Sequence, residues 1–105
     1  MASSRSLLAF LFIILISTVL FAGTTGKIAG IVKDKNTGEP LIGVNITVEG
    51  TNLGASSDID GSFIILNIPP GDYTLVAQYI GYATVRLENV DVDIDLTTQV
   101  EFQMQ

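Results

Sequence analysis

The sequence predicts an all-β protein, an antiparallel β-sandwich of about seven short strands preceded by a helical leader, and three observations predict it. Apolar and polar residues alternate with a period of two along most of the chain after residue 23, as half-buried strands require. The alternating runs are rich in Val, Ile, Thr and aromatic residues and are separated by turns built on Gly, Pro, Asn and Asp. No stretch of that region keeps a 3.6-residue apolar period, so no helix is expected there.

The first 22 residues stand apart. Arg5 precedes an unbroken apolar run from Leu7 to Ile16, continued as Val19-Leu20-Phe21-Ala22 after Ser17-Thr18, and small residues follow at Ala22-Gly23. A basic start, an apolar middle and a small-residue end define a secretory signal peptide over residues 1–22. As a helix, Leu7 to Ala22 spans about 24 Å, short of the ~30 Å hydrocarbon core, so a cleaved leader is expected rather than a transmembrane anchor. Residues 23–105 then form one domain, small enough to bury only about 60 to 65 percent of its unfolded surface.

Within that domain the elements follow in order. Ile28, Gly30 and Val32 alternate with Lys27, Ala29, Ile31 and Lys33 in a first strand, and a polar loop runs from Asp34 to Pro40. Val44, Ile46 and Val48 alternate with Asn45, Thr47 and Glu49 in the second, and Leu53 to Ser57 is a short third. Asp58-Ile59-Asp60-Gly61 leads into the next run with the chemistry of a tight hairpin, since Asp bonds its own backbone and Gly accepts positive φ. Phe63 and Ile65 share one face there and Ile64 and Leu66 the other, so this strand is expected to be covered on both sides. Pro70-Gly71 suits a type II turn with Gly71 at the left-handed corner. Tyr73, Leu75 and Ala77 then alternate with Thr74, Val76 and Gln78, and Val85 and Leu87 with Thr84, Arg86 and Glu88. Val92, Ile94 and Leu96 alternate with Asp91, Asp93 and Asp95, and Val100, Phe102 and Met104 with Gln99, Glu101 and Gln103.

Composition excludes whole classes of function. The sequence contains neither His nor Cys, which removes the commonest general base, the thiol nucleophile, ordinary zinc ligation and any disulfide. An exported small domain without disulfides points to a bacterial periplasm or outer membrane. After the leader, Lys27, Lys33, Lys35 and Arg86 face eleven acids, a net charge of −7, which repels nucleic acid and anionic lipid. No cofactor is expected, and the mature domain is not expected to insert into a membrane.

A series of motifs in fixed order resembles the carboxypeptidase regulatory-like domain, a transthyretin-like seven-stranded sandwich. The resemblance runs from Gly26 to Gln105. It rests on Gly26-Lys27-Ile28-Ala29-Gly30, on Thr37-Gly38-Glu39-Pro40-Leu41-Ile42-Gly43-Val44 and on Gly50-Thr51-Asn52-Leu53-Gly54. It continues through Asp58-Ile59-Asp60-Gly61-Ser62-Phe63, Pro69-Pro70-Gly71-Asp72-Tyr73 and Tyr79-Ile80-Gly81-Tyr82. The structural motif is therefore Gly30, Gly38, Pro40, Asp58, Asp60, Gly61, Phe63, Pro70, Gly71, Tyr73 and Gly81. The Tyr-Ile-Gly-Tyr ending behind a signal peptide is similar to the subset found at the N-terminus of TonB-dependent outer-membrane receptors of Bacteroidetes-like bacteria. The resemblance implies an accessory domain that carries no catalytic residue, and contact with a periplasmic or outer-membrane protein such as the receptor's plug. The chain reaches Gln105 with no TonB box, plug or barrel strand, as expected of a free-standing exported sandwich or of the leading piece of a receptor.

Three clusters invite chemistry. Asp58, Asp60 and Gly61 resemble a calcium loop but lack its ligand order and its closing glutamate, and are read as hairpin residues. Asp91, Asp93 and Asp95 share a strand face, where the outer two lie about 13 Å apart, too far for one cation, and are read as a solvated face. Tyr79 and Tyr82 are the candidate ligand contacts, an aromatic platform for a glycan, against a structural role in which the rings are buried. Tyr73, directly after the proline turn, is read as a corner residue bonding backbone.

Overall fold

The computed structural model describes residues 24–105, and the leader expected over residues 1–22 lies outside them. Seven strands follow one another: β1 Gly26–Asp34, β2 Asn45–Val48, β3 Gly54–Ser56, β4 Ser62–Ile68, β5 Gly71–Gln78, β6 Val85–Val92 and β7 Thr97–Met104. They form two packed sheets, one ordered β4-β1-β7 and the other β3-β2-β5-β6, and no helix occurs among the described residues. Every pair is antiparallel but one: β1 and β7 run parallel, with Ile28 opposite Thr98 and Val32 opposite Phe102. Alternation sets which side chains face inward and is blind to the direction of the neighbouring strand.

The inward faces meet in a dry layer. Ile28 and Val32 from β1, Phe63, Ile65 and Ile68 from β4, and Phe102 and Met104 from β7 oppose Ile46 and Val48 of β2, Leu75 and Ala77 of β5, and Val90 and Val92 of β6; all are buried. Phe63 and Phe102 lie with centroids 6.0 Å apart at 48°, a tilted aromatic pair across β1. Gly30 stands between them on β1. A Cβ there would come within 2.6 Å of the Val100 carbonyl and 2.7 Å of the Phe63 ring, so the ring lies where a side chain would be.

Two asparagines shift the pattern by one residue. Asn67 and Asn89 both have φ 59°, a region asparagine enters more readily than most residues. In β4 the inward positions run 63, 65 and then 68; in β6 they run 85, 87 and then 90 and 92. Register slips at the matching points of β1 and β5, as at β-bulges. The alternating runs 84–88 and 91–96 are therefore not two strands: a single β6 spans Val85–Val92 and bends through Asn89. Beyond it Ile94 and Leu96 are exposed. The double cover expected of β4 is also corrected, because Ile64 and Leu66 are 50% and 53% exposed. β4 is an edge strand of a two-layer body, and none of the described strands packs on its outer face.

The connections carry the turn residues. Asp58 to Gly61 forms a turn in which the Gly61 N–H donates to the Asp58 carbonyl (2.9 Å) and the Asp58 N–H to the Ser62 carbonyl (2.9 Å). The Asp58 carboxylate accepts from the N–H groups of Asp60 and Ser62. This turn joins β3 of one sheet to β4 of the other, so it is a corner of the sandwich and not a hairpin within a sheet. Gly71 does not occupy the corner of a type II turn. It is already the first residue of β5, with φ 153°, far from the ~80° that corner requires.

Candidate functional site

The end of the sandwich where β5 gives way to β6 gathers the most side-chain structure outside the core. The chain leaves β5 at Gln78 and reverses over Tyr79-Ile80-Gly81-Tyr82, closed by the Tyr82 N–H donating to the Tyr79 carbonyl (3.1 Å). Gly81 has φ 86°, the value a type II turn demands at its third residue. The conformation anticipated for Gly71 thus occurs ten residues later. Ile80, at the tip, is 95% exposed.

Both tyrosines flanking the tip are half-buried, and they stack on each other with centroids 5.6 Å apart and planes 29° from parallel. The Tyr82 hydroxyl donates to Asp34 Oδ2 (2.7 Å), tying the turn to the end of β1. Asp34 Oδ1 accepts from the N–H groups of Asn36 (2.8 Å) and Thr37 (3.1 Å). The hydroxyl and then these backbone donors hold the Asp34 carboxyl below its ordinary value, while the hydrogen bond to Asp34, then burial and then the Asp34 charge, raise the Tyr82 phenol. Nothing in the sequence pointed to Asp34 as a partner, since it lies 48 residues from Tyr82. Gly38 turns the loop after Asp34, and Pro40 bridges back to Lys33.

Beside the turn lies an open depression of about 400 Å³ lined by Gly43, Asn45, Gln78, Tyr79, Ile80 and Thr84. Its polar groups are amides and hydroxyls, with no carboxylate or amine, so it offers shape and hydrogen bonding. For a flat ligand, each tyrosine has one ring face already engaged by the other, and the Tyr82 hydroxyl is engaged by Asp34.

The remaining candidates are dispersed. Asp58, Asp60 and Gly61 sit at the β3–β4 corner, Gly30 and Phe63 in the core region, Pro70 between β4 and β5, and Gly71 at the start of β5. Tyr73 is half-buried on β5, its hydroxyl donating to the Pro69 carbonyl (2.6 Å). Asp91, Asp93 and Asp95 do not share a strand face. Asp91 is on β6, Asp93 follows its end, and Asp95 (φ 59°) lies in the turn, its N–H bonded to the Thr25 carbonyl. The chain must turn there to cross to the other sheet, which ends the alternation. Asp93 and then Asp72 raise the Asp91 carboxyl by like-charge repulsion. Among the described residues, no three potential metal-ligating side chains converge. Sequence reasoning passed over Ser57, which is buried: its Oγ donates to the Leu41 carbonyl (2.6 Å) and accepts from the Val44 N–H (2.9 Å). It ties the loop before β2 to the strand that follows β2.

A two-layer β body cornered by Asp-Gly and Pro-Pro, with a tyrosine bonding back across its proline corner, defines a sandwich domain. Residues 28–105 match the family described as CarboxypepD_reg-like domain, and the chain belongs to that family. It is 36% identical over 100 residues to the TonB-dependent receptor P39 of Formosa agariphila, an alignment covering 91% of this chain and 9% of the receptor. It is 49% identical over 55 residues to the TonB-dependent receptor SusC of Bacteroides thetaiotaomicron, covering 52% of the chain and 5% of the receptor. Carboxypeptidase D of Rattus norvegicus is 36% identical over 78 residues, covering 74% of the chain and 6% of that enzyme. The chain thus spans less than a tenth of the length of these relatives. In fold it is similar to a chain of a type II cohesin–X-dockerin complex from Acetivibrio cellulolyticus, with TM-score 0.65 and 20% identity over 75% of this chain and 56% of that one.

Proposed function

We propose that this sandwich is an exported, non-catalytic accessory domain of the kind that precedes the plug and barrel of TonB-dependent outer-membrane receptors, acting through protein–protein contacts in the periplasm. The observation that carries this reading is the alignment to receptor P39 across 91% of the chain. Two further observations support it. The chain contains no His or Cys, and among the described residues no three potential metal-ligating side chains converge. Its Gly, Pro, Asp and Tyr motifs serve turns, corners and close packing.

The reading is tested in the native cell by removing the coding region for residues 24–105 in frame. Altered uptake or altered nutrient-dependent expression of the associated receptor is expected. Wild-type uptake and expression under every nutrient tested would overturn the reading. A glycan-binding role rests on Tyr79 and Tyr82, whose mutual stacking and bond to Asp34 favour a brace. Binding on a glycan array that Tyr79→Ala abolishes without unfolding would reverse that preference.

A further inference from the structure

The outer face of the β4-β1-β7 sheet differs from the rest of the surface. On β1 the outward positions are Lys27, Ala29, Ile31 and Lys33, alternating with inward Ile28 and Val32. Ala29 pairs with Ile64 on β4, and Ile64 and Leu66 are half exposed. β4 is a sheet edge and reads SFIILNI without a single charge, whereas the edge strands β6 and β7 carry Arg86, Glu88, Asp91 and Glu101. Charge on an edge strand wards off unwanted pairing, so β4 is the unguarded long edge among the described strands. A contiguous apolar strip on an exposed sheet face marks an interaction surface.

Charge indicates what covers it. The domain after the leader has four cations against eleven acids, yet two of those cations, Lys27 and Lys33, stand on this face at the two ends of the strip. On the strands of this sheet Glu101 is the one carboxylate at an outward position, and it meets Lys33 at 3.7 Å with both side chains about half exposed, a contact of little energetic weight; at the rim Asp95 borders Lys27 and Leu66, and Asp58 borders Ile64. The opposite sheet is acidic: β5 and β6 carry Asp72, Glu88 and Asp91, and Arg86 is already engaged by Glu49 at 2.7 Å.

We infer that this face docks a polypeptide segment of a partner protein that is apolar at its centre and acidic at both ends. Its apolar residues seat on Ile64, Leu66, Ala29 and Ile31, and its carboxylates, about 20 Å apart to match six residues of strand, meet Lys27 and Lys33. Elsewhere a body of charge −7 repels an acidic segment, so the lysines set where it lands as well as how it lies. The inference rests on the contact reading proposed above and names the surface and the chemistry of the partner.

The test is site-specific photocrosslinking in the native cell, with p-benzoylphenylalanine at position 64 and, as a control on the opposite sheet, at position 88. Position 64 alone is expected to yield one discrete protein adduct. Sequencing of the linked peptide by mass spectrometry should find an apolar stretch with Asp or Glu at both ends. The double variant Lys27→Glu, Lys33→Glu should lower the adduct yield about tenfold, the sum of two exposed charge pairs reversed in sign. Equal adducts at 64 and 88, no adduct at 64, a linked peptide without flanking acids, a second copy of this chain, a lipid adduct, or a yield indifferent to charge reversal would each overturn the inference. If removal of residues 24–105 changes uptake while position 64 fails, this docking face falls and the accessory-domain reading stands.

Discussion

Gly61 and Gly81 both adopt left-handed φ, 75° and 86°, at turns closed by a backbone bond from the fourth residue to the first. Their surroundings are opposite. A Cβ on Gly61 would come within 2.6 Å of the Val32 carbonyl and 2.9 Å of Pro40, because the β3–β4 corner is pressed against the β1–β2 loop. A Cβ on Gly81 would meet nothing within 4 Å. The first turn is part of the body and sets how the two sheets meet. The second presents an exposed isoleucine at its tip, while Tyr79 and Tyr82 stack on each other against the core, Tyr82 bonds Asp34, and the Ala83 N–H bonds the Gln105 carbonyl. Similar glycine-cornered motifs therefore do different work, one positional and one presentational.

This contrast orders the substitutions by cost. Gly61→Ala adds left-handed strain to a clash with backbone and should destabilise the domain by about 3 kcal/mol in urea unfolding. A cost equal to that of Gly81→Ala would dissolve the distinction. Ser57→Ala, on the body side of the comparison, orphans the buried Val44 N–H and the part-buried Leu41 carbonyl and should cost about 2 kcal/mol by the same measurement. Gly81→Ala carries the strain without the clash, about 1 kcal/mol, and should leave the unfolding slope unchanged.

The smallest effect is a pH dependence at the Gly81 turn. The Asp34 carboxyl titrates below its ordinary 3.8 when folded, so its contribution is whole above that value and is lost as pH falls through the lowered one. The Tyr82 phenol titrates above its ordinary 10.0, so its contribution is whole below that value and is lost as pH rises through the raised one. The tie therefore holds across the interval between these values and loosens outside it. The stability difference between the parent and Tyr82→Phe should be flat across that interval and shrink at either extreme, followed by thermal unfolding at stepped pH.

Much of the fold was legible because alternation and turn chemistry are local. β1, β2, β5 and β7 fall where Val, Ile and Leu alternate with polar residues, and the Asp-Gly and Pro-Pro corners fall between strands. The failures share a cause, which is that partners in space leave no trace in spacing. One left-handed residue at Asn89 reverses the parity of β6, so a single strand looked like parts of two, and the turn after Val92 takes Asp93 and Asp95 off the strand that holds Asp91. The parallel pairing of β1 with β7 is invisible to a pattern that records only inside and outside. Ile64 and Leu66 suggested a covering layer that the described residues do not provide, and their exposure gives the docking face its apolar character. At the candidate site the two tyrosines were legible, but their stacking and the Asp34 bond were not, because both depend on the loop after β1 folding back across the sandwich end.

The central claim is that this domain acts through shape and contact, with no acid performing chemistry. Its most direct measurement is complementation of the strain lacking residues 24–105 with the domain carrying Asp91→Asn, Asp93→Asn and Asp95→Asn, reading uptake by the associated receptor. Full restoration is the predicted result, since the amides keep the shape and relieve the repulsion that raises the Asp91 carboxyl. Loss of uptake by a domain that still unfolds cooperatively at the parent temperature or above would contradict the claim.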